Sequence, residues 1–437
     1  MMKNQSDTVE TIPRAFLVGI RDEKMSAKEA DSLSRELVGL VNTLGPEIVS
    51  LEMVHVKEKQ ARFGMGTGKA EELAQKAASF KADCIIFDRD ISPSQQRNWE
   101  ELSGVPVIDR QELIIQIFAG RARTREAELQ VSLAELKYAL PRLRHKYIDL
   151  SRQRGGRYGT RGSGETRLET DRRLVQQRIH RLEEELEKVR QQRQVQRRQR
   201  ERQGIPVCSL VGYTNAGKST LFNALTGAGV FAEDKLFATL DSTSRRLELP
   251  QGTQVLLVDT VGFIRRLPPS LVNAFRSTLE ELNRADILLN VLDASEQDLI
   301  VQHETTLSVL RDLGIESIPI ITVLNKIDRL ESSDVKSVDV KSADVQSTDA
   351  LLKLFPGSVP VSAADGRGLP ELCARLERAL AGAAIRFRFP PERTDLAALL
   401  HRSGTVIAEN YRGSCIEMEA RLDERIAGRL KEFQVNE

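Results

Sequence analysis

The chain has 437 residues, 40% hydrophobic and 29% charged with a net charge of +1, which is too long for one core and fits two to four soluble domains. No stretch approaches the ~20 consecutive apolar residues of a membrane span, and Met1 to Glu10 lacks the apolar core of a signal peptide. Cys84, Cys208, Cys373 and Cys415 stand far apart without a C-x-x-C pair, and the five histidines lack metal-ligand spacing. This reads as a cytosolic protein with reduced thiols, free to associate peripherally with membranes.

From the N-terminus, strand and helix signals alternate. Ala15-Phe16-Leu17-Val18-Gly19-Ile20 is a buried strand, and Ala27 to Leu44 has helical spacing through Leu33, Leu37, Leu40 and Val41, stopped by Gly45-Pro46. Strands follow at Ile48 to Val56, Ala82 to Asp88 and Val105 to Asp109, so residues 1–120 form a small α/β domain. Within it, Gly64-Met65-Gly66-Thr67-Gly68-Lys69 imitates a phosphate loop, but Phe63 stands at the leading glycine position and Ala70 replaces the metal-binding hydroxyl. Two readings stay open: a glycine-rich turn before a helix Ala70–Ser79, or a weaker site for a nucleotide or RNA phosphate.

Residues 121–203 hold 23 Lys and Arg against 12 Asp and Glu, an excess suited to a polyphosphate partner. Leu129, Leu133, Leu136, Leu140, Leu143 and Tyr147 make one heptad seam; Val175, Ile179, Leu182, Leu186 and Val189 make a second. Between them lies a glycine–arginine stretch, so the expected structure is an antiparallel helical hairpin, kinked at Pro141. At its tip, Arg152, Arg154, Arg157, Tyr158 and Arg161 suit RNA, through bidentate phosphate contacts and base stacking. A hairpin that merely braces domains or dimerises is the other reading.

Residues 204–383 carry the most specific pattern. Gly212-Tyr213-Thr214-Asn215-Ala216-Gly217-Lys218-Ser219 is a full G-x-x-x-x-G-K-S loop between the β-prone run Ile205–Val211 and a helical run. Such a loop aims backbone N–H groups at a triphosphate, with Lys218 on the β/γ phosphates and Ser219 on Mg²⁺. Phe237-Ala238-Thr239 offers a threonine that closes over Mg²⁺. The strand Val255–Val258 ends in Asp259-Thr260-Val261-Gly262, where Asp259 supports the metal and Gly262 approaches the γ-phosphate. The strand Ile320–Leu324 ends in Asn325-Lys326-Ile327-Asp328, and Ser362-Ala363 follows another strand. Asp328 accepts two hydrogen bonds that guanine offers and adenine does not. In this order the motifs identify a guanine-nucleotide-binding P-loop domain with a mostly parallel sheet flanked by helices.

Two positions bear on mechanism. Phe263 follows Gly262, where Ras-type proteins carry the glutamine that orients the attacking water. Slow intrinsic hydrolysis and activation by a partner are expected, and no side chain is an obvious general base. Asn215 is either a turn residue or a K⁺ ligand. The five-residue repeats of 331–350 read as a solvated insertion, and 384–437 as a small α/β C-terminal module. The fold class is multidomain α/β.

The chain resembles the HflX family of ribosome-associated GTPases over nearly its whole length. The likeness lies in Phe63 to Leu73, Val107-Ile108-Asp109-Arg110, Ile117-Phe118-Ala119, Arg161 to Arg173, Phe237 to Asp241 and Asp259 to Ile264. It implies a factor that docks on the large ribosomal subunit in its GTP state, reaches toward the peptidyl-transferase region with its helical extension, and splits or rescues stalled ribosomes under stress. Ribosome-stimulated hydrolysis is implied as well, and a monomer when free is expected. The alternatives are a GTP-regulated scaffold that binds RNA or self-associates, and an RNA-modification GTPase, for which no catalytic cluster is visible.

Overall fold

The computed structural model describes residues 12–143, 163–201, 205–229, 236–239, 242–266, 282–331, 347–380, 384–413, 415–422 and 424–435. Arg152, Arg154, Arg157, Tyr158 and Arg161 lie outside these residues, as does most of the 331–350 insertion. The described chain divides into two compact units. The first runs to Gln196 and also takes in 236–239 and Arg266; the second holds the rest.

In the first unit, β1 (Arg14–Asp22), β2 (Glu47–Val56), β3 (Cys84–Phe87) and β4 (Val107–Ile108) form a parallel sheet in the order β2-β1-β3-β4. β1 lies inside the sheet, and its unbroken apolar run is what burial on both faces demands. α1 (Ala27–Leu44) starts where the Ser26 hydroxyl accepts from Glu29 N, a cap contributing about 1 kcal/mol. α2 (Thr67–Ser79) begins at Thr67, three residues before the expected start, and Lys69 pairs with Glu72 of the same helix at 2.8 Å. α3 (Pro93–Ser103) opens with a capping box between Ser92 and Gln95. It delivers the buried Trp99, whose indole N–H donates to Phe63 O at 3.0 Å. α4 (Arg110–Arg121) begins with a buried guanidinium that pairs with Asp88 at 2.5 Å and also with Glu36.

The two heptad seams meet. Leu129 and Leu133 of α5 (Arg125–Ala139) cluster with Leu182 and Leu186 of the helix Ser163–Glu201, bordered by Leu136, Ile179 and Val189. Lys137–Glu183 and Arg125–Glu185 ion pairs at 2.8 Å accompany this cluster. Pro141 lies just past the end of α5, and the arm beyond residue 143, where the expected kink would show, lies outside the described residues. The helix ends at Ala139; Leu140 still holds helical angles (φ −52°, ψ −48°) and its N–H donates to Leu136 O, so the break falls at Pro141, whose nitrogen has no hydrogen to donate.

The second unit is built on six strands: β5 (Val207–Gly212), β6 (Thr243–Glu248), β7 (Gln254–Asp259), β8 (Ile287–Asp293), β9 (Ile320–Asn325) and β10 (Val359–Pro360). Their order is β10-β9-β8-β5-β7-β6, parallel except for the edge strand β6. Sequence reasoning passed over β8, although its seven residues are all buried. Cys208, Leu210, Leu257, Leu289, Val291 and Val323 anchor the main core; Leu292, Leu324 and Ile327 belong to another cluster. Residues 384–435 add an antiparallel sheet, β11 (Ala384–Phe389), β13 (Cys415–Leu422) and β12 (Gly404–Arg412) in that order. Leu396 and Leu400 of the helix Thr394–Ser403 pack on its Phe387, Phe389 and Met418.

Candidate nucleotide site

β5 ends at Gly212 and the helix Lys218–Thr226 carries the chain away, so the glycine-rich loop joins a strand to a helix N-terminus. Asn215 and Gly217 hold left-handed φ values of 63° and 87°. A Cβ on Gly217 would lie 2.3 Å from Asn325 Nδ2, so both the backbone geometry and the space require glycine there. The buried Lys218 ammonium donates to Gly212 O at 3.2 Å and Tyr213 O at 2.8 Å. Burial pushes its pKa down from 10.5 to about 8; Asp259 opposes that shift and Lys326 adds to it.

Ser219 Oγ donates to Asp259 Oδ2 at 2.7 Å, bringing the end of β7 to the first turn of the helix. Two buried hard oxygens in contact fit a small divalent cation such as Mg²⁺, which retains most of its ligands as water and phosphate. Thr260 Oγ1 donates to Leu210 O at 2.6 Å, and Phe263 is buried at 2% exposure.

On the other side, Asn325 links two loops: Nδ2 donates to Ala216 O at 2.9 Å, and Oδ1 accepts from Ala363 N at 3.0 Å. Lys326 Nζ donates to Asn215 O at 2.8 Å and pairs with Asp293 Oδ2 at 2.7 Å. Ser362 Oγ donates to Asp328 Oδ1 at 2.7 Å. Asp293 was missed because β8 was missed, although a carboxylate closing an apolar run was the signal.

The fold thus brings together residues 212–219, Asp259, Gly262, Asn325, Lys326, Asp328, Ser362 and Ala363. Phe237, Ala238 and Thr239 group by contact with the first unit. There the buried Phe237 stands edge-on to Phe118, with ring centroids 4.6 Å apart, and Leu236 N donates to Thr43 Oγ1 at 3.2 Å. Phe237 holds φ at 56°, uncommon for a bulky residue, and its ring packing offsets that strain.

Comparison with known proteins decides the family. Family models for the GTP-binding GTPase N-terminal region, the GTP-binding GTPase middle region and the 50S ribosome-binding GTPase match residues 31–119, 121–200 and 207–326. The chain is 43% identical to the GTPase HflX of Akkermansia muciniphila over 434 residues, 97% of each chain. It is 41% identical to that of Escherichia coli K12 over 370 residues, 84% of each. The chain belongs to the HflX family of GTPases. It is a GTP-hydrolysing enzyme with a P-loop core and smaller flanking domains. Among solved structures, it is similar to a GTP-binding protein of Sulfolobus solfataricus in complex with GDP, at 25% identity over 84% of this chain and 98% of that one, with a TM-score of 0.42.

Proposed function

We propose that the protein binds the large ribosomal subunit in its GTP state and splits or rescues stalled ribosomes under stress, with the ribosome stimulating hydrolysis. The match of residues 207–326 to the 50S ribosome-binding GTPase family carries this reading. The basic excess of 121–203 supports it, because arginine-rich helices and a glycine-rich tip suit folded RNA. On this reading Arg152, Arg154, Arg157, Tyr158 and Arg161 contact rRNA. Gly212, Asn215, Gly217 and Lys218 cradle the phosphates, Asn325, Lys326, Asp328, Ser362 and Ala363 hold guanine, and Gly262 senses the γ-phosphate.

Ser219 and Asp259 would hold Mg²⁺, joined by Thr239. The ion neutralises developing phosphate charge when bound. Asn215 is the proposed K⁺ ligand, and faster GTP turnover in K⁺ than in Na⁺ is its signature. The buried Phe263 ring has no hydrogen-bonding group with which to orient water, which supports activation by a partner. A self-associating scaffold is less favoured, because leucines of the two seams already pack together within one chain.

Cosedimentation with large subunits tests the proposal. Binding is expected with a non-hydrolysable GTP analogue, weaker with GDP, and lost when the four tip arginines are neutralised. Equal pelleting of wild type and the neutralised variant would overturn the assignment of the tip.

A further inference from the structure

We propose that Tyr213 is a positioning residue for hydrolysis. It clips the segment after Gly262 onto the phosphate loop, so that main-chain groups do the work of the missing glutamine. Phe263 N donates to Gly212 O at 3.0 Å, and Thr214 N donates to Phe263 O at 2.8 Å, forming a parallel bridge between Tyr213 and Phe263. Two residues on, the Tyr213 phenol oxygen accepts from Arg265 N at 2.9 Å. Tyr213 is only 4% exposed, so little water competes for that bond. The next residue, Arg266, already belongs to the first unit, so the clip sits where the chain leaves the GTPase core.

The clip has a geometric effect on the site. The β5–β7 ladder pairs Leu210 with Asp259, whereas the bridge pairs Tyr213 with Phe263. Three steps on one strand therefore face four on the other. The extra residue is taken up between Asp259 and Phe263, which presses Gly262 inward. A Cβ on Gly262 would lie 2.8 Å from Lys218 Nζ and 2.9 Å from Thr214 Cα. Gly262 is thus held against the ammonium that faces the γ-phosphate in P-loop enzymes.

In the reaction, the water oxygen bonds to the γ-phosphorus and the bond from phosphorus to the β–γ bridging oxygen breaks, releasing GDP. One water proton stays on the released phosphate and the other passes to solvent. With a buried phenylalanine at 263, alignment of that water depends on how firmly the Gly262 backbone is fixed. Tyr213 touches none of the reacting atoms and acts through this backbone. The inference rests on the GTPase activity alone and is independent of the ribosome proposal.

The test is Tyr213→Phe in the full-length chain, which keeps the ring and deletes the acceptor. A modest fall in Tm is expected because the Arg265 N–H loses its partner, while GDP affinity stays that of wild type and the KM for GTP shifts less than about twofold. A fall in kcat of about fivefold to tenfold is expected, the size of one lost buried hydrogen bond expressed in the transition state. The extra affinity that aluminium fluoride confers on GDP should fall by the same factor, and amides 263–265 should exchange hydrogen faster. Unchanged kcat despite faster exchange would overturn the proposal. So would a loss of GDP affinity matching the loss of kcat, which would make Tyr213 a nucleotide ligand. Whatever the Tm of the variant, amides 263–265 of the wild type exchanging as fast as an open loop would refute the clip.

Discussion

Replacing Asn325 by alanine probes how the nucleotide site is assembled. Asn325 is 1% exposed, and its amide is used at both ends: Nδ2 donates to Ala216 O at 2.9 Å, and Oδ1 accepts from Ala363 N at 3.0 Å. Asn325→Ala leaves a carbonyl and an N–H in a dry region without those partners. Each such loss costs about 1–3 kcal/mol, and partial relaxation favours the lower part of the sum, about 2–4 kcal/mol. The same change frees Ala216 and Ala363 from each other, so the phosphate loop and the base-side turn lose their common register. GDP affinity is expected to fall at least about tenfold, equivalent to 1.4 kcal/mol. Fluorescent GDP titration and thermal unfolding without nucleotide measure the two effects separately. An alanine variant with unchanged Tm and GDP affinity within twofold of wild type would refute the reasoning.

Two further outcomes follow from the structure. Burial holds Lys218 at about 8 rather than 10.5, so between those values the unfolded chain binds the additional proton. The stability of the nucleotide-free protein attributable to this group is therefore lowest below pH 8 and recovers as pH rises toward 10.5. Polyphosphate restores the ammonium, so GDP binding at about pH 9 should take up a proton, seen as a calorimetric enthalpy that varies with buffer ionisation; identical enthalpies in all buffers would contradict this. In the helical region, Leu182→Ala should cost about 2–4 kcal/mol and release hydrogen-exchange protection in α5 while leaving the six-stranded sheet protected. Equal protection in α5 would show that the leucine cluster does not hold the two helices together.

The nucleotide motifs were legible because each lies at a strand end, where a short apolar run and an abrupt glycine, asparagine or aspartate specify a turn. α1 was readable to the residue, since Ser26 and Gly45 bracket an unambiguous helical period. β8 escaped notice because Asn290 interrupts its apolar run, although Asp293 closes that run; the assembled sheet makes it a central strand. Nor could the chain reveal that 236–239 would pack in the first unit. The partners of this packing, Phe118 and Thr43, are distant in sequence.

That aromatic contact constrains how the molecule can be dissected. A fragment beginning at the GTPase core would retain Phe237 but discard Phe118, leaving a large ring in a left-handed backbone geometry with nothing to lean on. Measurements on such a fragment would describe a loop released from its mooring, and a chimera with a relative's N-terminal half would keep the contact only where that relative also carries an aromatic ring at the position of Phe118.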